Sequence, residues 1–154
     1  MQIRGISVAI IVILILLALH SAFRYIQTQN YRMAVRRMRK LGNVGIGQKG
    51  SPFLNGHVAI IACDNDGIIT GAEVLDGIGA WSQFHPVDRF LGKKLVGSSI
   101  YDFLAVTERF SGKRLKKWQE YVRALEALEV RISDRELTRE QEKYMDRKFG
   151  KTSY

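Results

Sequence analysis

Residues 5–23 contain no Asp, Glu, Lys or Arg, and 6–19 (ISVAIIVILILLAL) is almost wholly aliphatic. A helix of that length rises about 28 Å, close to the ~30 Å hydrocarbon core of a bilayer. Inside lipid a lone segment must satisfy its own backbone hydrogen bonds, so the stretch is expected to be helical despite its β-branched Ile and Val. A cleaved signal peptide is the competing reading. It needs small residues at the cleavage site, yet Ala18-Leu19-His20 and His20-Ser21-Ala22 each put His at one of those positions. A retained anchor over residues 1–24 is therefore expected.

The flanks set an expected orientation. Arg4 is the only basic side chain before the span, whereas Arg24, Arg32, Arg36, Arg37, Arg39 and Lys40 follow it. Basic flanks stay on the cytoplasmic side, which puts the N-terminus outside and the rest of the chain in the cytoplasm of a single-pass cell-membrane protein. The single Cys63 can form no intramolecular disulfide, and no Asn-x-Ser/Thr occurs, both compatible with a reducing compartment.

The net charge of +9 is unevenly spread: +7 over residues 1–40, −2 over 41–106 and +4 over 107–154. The basic character belongs to the segment beside the span and to the C-terminal tail. A second helix is expected over 25–42, with Tyr31, Val35, Met38 and Leu41 as one apolar stripe and Arg32, Arg36, Arg39 and Lys40 on the rest of its surface. Gly42 is a natural stop. The run 42–50 then reads as a glycine-rich connection.

Two β signals follow, 57–63 (HVAIIAC) and 68–75 (IITGAEVL), separated by Asp64-Asn65-Asp66-Gly67. Gly67 permits positive φ and Asp and Asn tolerate it, so a β-hairpin is expected. Asp76-Gly77 is a second turn candidate, 81–84 the start of a third strand, and 92–97 loop. Ser99-Ile100-Tyr101-Asp102 resembles a capping box ahead of a helix to about Phe110. Ser111-Gly112 breaks it. Leu115, Trp118, Val122, Leu125 and Leu128 mark the apolar face of another helix. Ser133-Asp134-Arg135-Glu136 is a fuller capping box and is expected to open a last helix to about Lys148.

Few motifs carry chemistry. Gly45-Ile46-Gly47-Gln48-Lys49-Gly50 fits G-x-G-x-x-G, but a dinucleotide site needs a strand before it and a helix after it, and here a basic helix precedes and a strand follows. Asp64-x-Asp66-Gly67 falls short of a calcium loop, whose twelfth position would be Leu75. His20, His57 and His85 have no Cys or carboxylate at ligand spacing. No nucleophile elbow is present. No catalytic residue, metal or cofactor is expected, and the chain reads as a non-enzyme.

The order of these features resembles the glucitol (sorbitol) operon activator family, GutM. The resemblance lies in the N-terminal span, the basic helix with its aromatic start near Tyr31, the Gly-x-Val-Gly-x-Gly stretch at 42–47, the strand–turn–strand unit at 57–75, and 77–95 (GIGAWSQFHPVDRFLGKKL). It covers roughly residues 1–104. It implies a regulator that activates transcription of genes for hexitol uptake and breakdown, which encode a sorbitol phosphotransferase system and its dehydrogenase. It supplies no catalytic residues.

Two functions from different classes are open to such a chain. One is a membrane-anchored transcriptional activator whose basic helix (Arg32, Arg36, Arg37, Arg39, Lys40) or tail touches operator DNA; the same helix could instead meet anionic lipid. The other is a membrane-bound adaptor that holds a phosphotransferase-system component or a separate DNA-binding regulator through the face Leu115, Trp118, Val122 and Leu125. The competing reading of that face is that it covers the chain's own sheet. A transporter accessory without a link to transcription is a third. The expected fold is α+β: a single N-terminal transmembrane helix (1–24) extended by a basic helix (25–42), a small mainly antiparallel β-sheet domain (43–104) and charged C-terminal helices (105–154).

Overall fold

No Gly or Pro interrupts residues 6–41, and the chain uses that continuity. In the computed structural model, which describes residues 2–50, 56–76 and 83–149, helix α1 runs unbroken over Gln2–Arg39, 38 residues. Its apolar part is exposed on every side, with Ile6 to Leu19 about half accessible. Its last turns meet a sheet through Ala34 and Met38, both buried.

That sheet has four antiparallel strands in the order β1-β2-β3-β4: β1 (Asn43–Lys49), β2 (His57–Cys63), β3 (Ile69–Asp76) and β4 (Gln83–Pro86). The expected hairpin is β2–β3. Asp64 Oδ1 accepts from the backbone N–H groups of Asp66 and Ile68, at 2.9 and 2.8 Å, and Gly67 takes φ +79°. These bonds make Asp64 a turn residue. Gly77, Trp81 and Ser82, invoked for a second turn and the start of a third strand, lie outside the described residues.

β2 is apolar at nearly every position because both its faces are covered. Val58, Ile60 and Ala62 point at α1, and Ala59, Ile61 and Cys63 at the opposite layer. That layer consists of α2 (Ile100–Thr107), the short α3 (Gly112–Lys117), α4 (Gln119–Phe149) and a two-residue hairpin, β5 (Arg89–Phe90) and β6 (Lys93–Lys94). The chain is mixed helix and sheet, as expected.

Three expectations need correction. The run 42–50 is the edge strand β1 and not a connection. A Cβ on Gly45 would lie 2.0 Å from the Ala124 carbonyl oxygen, and one on Gly47 1.7 Å from that of Glu120. The glycines let α4 press its backbone against the strand, so they serve packing and hold no phosphate. Second, no helix starts at Ser133. The capping pattern lies within α4, which continues because Ile132 is in the core and Arg135 Nη1 reaches Asn65 Oδ1 at 3.0 Å. Third, 92–97 contains β6, closed by a turn in which Leu91 adopts φ +53° while its side chain packs on the core.

Ser99 does cap α2: its hydroxyl accepts from the Tyr101 N–H at 3.2 Å. Ser99→Ala should lower stability by about 1 kcal/mol in a denaturant titration, and no change in midpoint would remove the cap from the account.

Contacts between α1 and the sheet fix how the two are aligned along their length. Leu41 and Met38 lie over Gly71, Arg37 over Glu73, and Tyr31 against Phe84 at 6.1 Å between ring centroids. β3 therefore runs back toward the apolar part of α1. The end of the sheet bearing Lys49, His57, Asp76 and Gln83 is the end nearest that apolar segment.

Candidate nucleic-acid interface

On a helix with Ala34 and Met38 facing the sheet, Arg32, Arg36, Arg39 and Lys40 fall on the outward side. All four are exposed, and among the described residues none of their side chains has a hydrogen-bond or ion-pair partner. Arg37 differs. Its guanidinium grips the Glu73 carboxylate with two bonds, Nε to Oε1 at 3.0 Å and Nη2 to Oε2 at 2.8 Å. Glu73 raises the Arg37 pKa chiefly through that hydrogen bond. Arg37 is thus committed to joining α1 and β3, and the candidate contact set shrinks to the other four.

Three of the six acids of the middle segment, Asp64, Glu73 and Asp76, are engaged too. Glu73 holds Arg37, and Asp64 holds the turn. Asp76 Oδ1 accepts from His57 Nδ1 at 2.6 Å, and its Oδ2 lies 3.7 Å from His85 Nε2. Sequence spacing gave these histidines no carboxylate partner. The fold supplies one, because the register sets His57 beside Asp76 and His85 beside Val74. All three side chains are about half exposed and bridge three strands. The signal was available in the hairpin register, had the strand ends been fixed. No group of three metal-ligating side chains is present among the described residues.

The expected partner face is mostly spent inside the protein. Val122 and Leu125 are 6% and 0% exposed and pack under the sheet with Leu128. Trp118 is half-buried, edge-on to Phe90 and Tyr121, whose own rings stack at 4.5 Å. Burial first, then Asp76 and Glu120, pushes the Tyr121 phenol up to about 12. Only Leu115 remains open, at 38%. Val122 and Leu125 are spent because α4 is the helix that closes the core, whereas Leu115 and Trp118 precede α4.

Cys63 is fully buried, and desolvation, aided by Asp64, raises its thiol to about 11. At neutral pH it is a protonated core side chain with no nucleophilic role. On the far edge of the sheet, Arg123 and Arg131 donate to the outward carbonyls of Gln48 and Val44 at 2.9 and 3.2 Å. They cover strand β1, so the edge is not offered for strand addition.

Residues 8–113 match the model of a protein family described as Glucitol operon activator protein (GutM). No curated protein and no solved structure matches the chain.

Proposed function

The chain belongs to the glucitol operon activator (GutM) family, and from that premise we propose that it is a membrane-tethered transcriptional activator that contacts operator DNA through the outward face of α1. The operon it serves is one for a glucitol phosphotransferase system. The observation that carries the reading is the set Arg32, Arg36 and Arg39 on the outward face of α1 with Lys40 just past its end, four exposed cations whose side chains have no partner among the described residues. Within the middle segment, Glu73 is paired with Arg37 and so is not a free negative charge beside this face.

Geometry favours a polyanion in solution over lipid for most of this face. Helix α1 carries an apolar window that can cross a membrane. Arg36 stands thirteen residues past Phe23, about 20 Å beyond the hydrocarbon edge along an upright helix. Headgroups occupy roughly 5–8 Å of that and the Debye length is ~8 Å, so Arg36, Arg39 and Lys40 stand clear of the bilayer's field. The excess of basic residues after the span supports a cytoplasmic location for this face, where DNA is.

The test is binding of the full chain in nanodiscs to the DNA upstream of its neighbouring operon, with scrambled DNA as competitor. Changing Arg32, Arg36, Arg39 and Lys40 to Gln should flatten the slope of log K against log salt by about 3–4, close to one unit for each phosphate no longer neutralised. Equal affinity for scrambled DNA would move the weight to the adaptor. That alternative, which holds a phosphotransferase-system component or a separate regulator, now rests on Leu115 and Trp118 alone.

A further inference from the structure

We propose that helix α3 is a second membrane contact, a basic patch that docks the anchor-side end of the sheet domain on the surface of an anionic phospholipid bilayer. This rests on α1 being a membrane anchor, and not on DNA binding. Three observations converge on it.

The first is charge. Residues 112–117 read GKRLKK, and every one is exposed. Lys113, Arg114, Lys116 and Lys117 have no ion-pair partner among the described residues. Arg114 lies over the Phe110 ring at 4.4 Å and Lys117 over Trp118 at 5.0 Å, so two of the cations are held in place by aromatic faces.

The second is position. Lys49 Nζ donates to the Lys117 carbonyl oxygen at 3.2 Å, which fixes the C-terminal end of α3 beside the last residue of β1. Lys49 pairs with His57, next to Asp76 and Gln83, and Gln83 shares a small cleft with Asn30 of α1. Asn30 is seven residues past Phe23, about 10 Å beyond the hydrocarbon edge. The headgroup layer fills more than half of that distance, so charges at this level lie within one Debye length of the lipid phosphates. The patch, far along the sequence from the apolar segment of α1, sits at the end of the sheet nearest to it.

The third is the apolar element. Leu115, 38% exposed, projects from the middle of the patch, and Trp118 borders it. A basic cluster around a leucine and a tryptophan suits an interface that is anionic outside and apolar beneath.

The experiment uses the full chain in nanodiscs of phosphatidylcholine, with or without phosphatidylglycerol. A fluorophore on Leu115→Cys is read by a quencher attached to lipid headgroups; the buried Cys63 stays unlabelled. Strong quenching is expected in phosphatidylglycerol discs at 0.1 M salt, weakening at 0.5 M. Each charge removed should reduce the docked-to-undocked ratio about fivefold. Lys113→Gln, Arg114→Gln, Lys116→Gln and Lys117→Gln together should abolish quenching, and Lys→Arg changes at 113, 116 and 117 should preserve it. Inserted protein with equal quenching in both lipids, or quenching indifferent to the Gln set, overturns the proposal. A Gln set that spares quenching and loses DNA affinity overturns it in favour of nucleic acid. Protein that inserts into neither disc overturns the anchor as well, a result that flotation separates from the others.

Discussion

Gly47→Ala should detach α4 from the sheet and lower the stability of the folded unit by about 3 kcal/mol. The added Cβ would stand 1.7 Å from the Glu120 carbonyl oxygen and 2.5 Å from the Ala124 nitrogen. Both are backbone atoms in the middle of helical hydrogen bonding, so no rotamer change relieves the clash. The whole helix must retreat from β1, and Leu125 and Leu128, both fully buried, lose their packing with it. For a unit of ~100 residues this corresponds to a Tm lower by roughly 10–20 °C. Thermal melting of the full chain in detergent reads it. Gly97→Ala is the control: nothing lies within 4 Å of its Cβ, and only the positive φ of +88° is penalised, about 1 kcal/mol. Equal losses for the two would mean that close approach of α4 is not what Gly47 provides.

Leu14→Arg should free the chain from membranes. Leu14 is near the centre of the apolar segment and 59% exposed, like its neighbours all round the helix. Of the apolar window in α1, 0% is buried by the rest of the protein. No protein core covers this surface, so lipid is the environment that would. An arginine at the middle of a spanning helix costs about 2.5–3.5 kcal/mol on insertion scales, roughly a hundredfold in partition. Carbonate extraction followed by flotation should move the variant to the soluble fraction. A variant that floats with membranes as the parent does would leave the lipid-contact proposal for α3 without its premise.

The family was legible before the fold. The short motifs at 42–47, 57–75 and 77–95 suggested a resemblance over roughly 1–104, and the family match spans 8–113. The hairpin β2–β3 and the cap of α2 were legible as well, because each depends on residues within a few positions of one another. Asp64 and Gly67 make their turn from local chemistry, and Ser99 caps the helix directly after it.

Other readings failed because the deciding neighbour is distant in sequence. A strand written as alternating glycines looks like a linker, since glycine is depleted in sheets. Gly45 and Gly47 make sense only beside Ala124 and Glu120. The pattern at Ser133 is a valid helix start in isolation. The long-range contacts of Ile132 and Arg135 carry the helix through it. Likewise, spacing alone could not join His57 and His85 to Asp76, because strand register does that.

The sequence by itself determined the apolar α1 segment, the central hairpin, the total charge and the family, all properties of composition or of local order. Tertiary structure decided which charges are available. It withdrew Arg37 into a pair with Glu73, left Arg32, Arg36, Arg39 and Lys40 facing outward, and folded Val122 and Leu125 into the core. It also brought 112–117 beside the last residue of β1, through Lys49 and the Lys117 carbonyl. A charge's partners and its distance from a surface are set by packing between segments far apart in the chain, and a linear string of residues does not contain those distances.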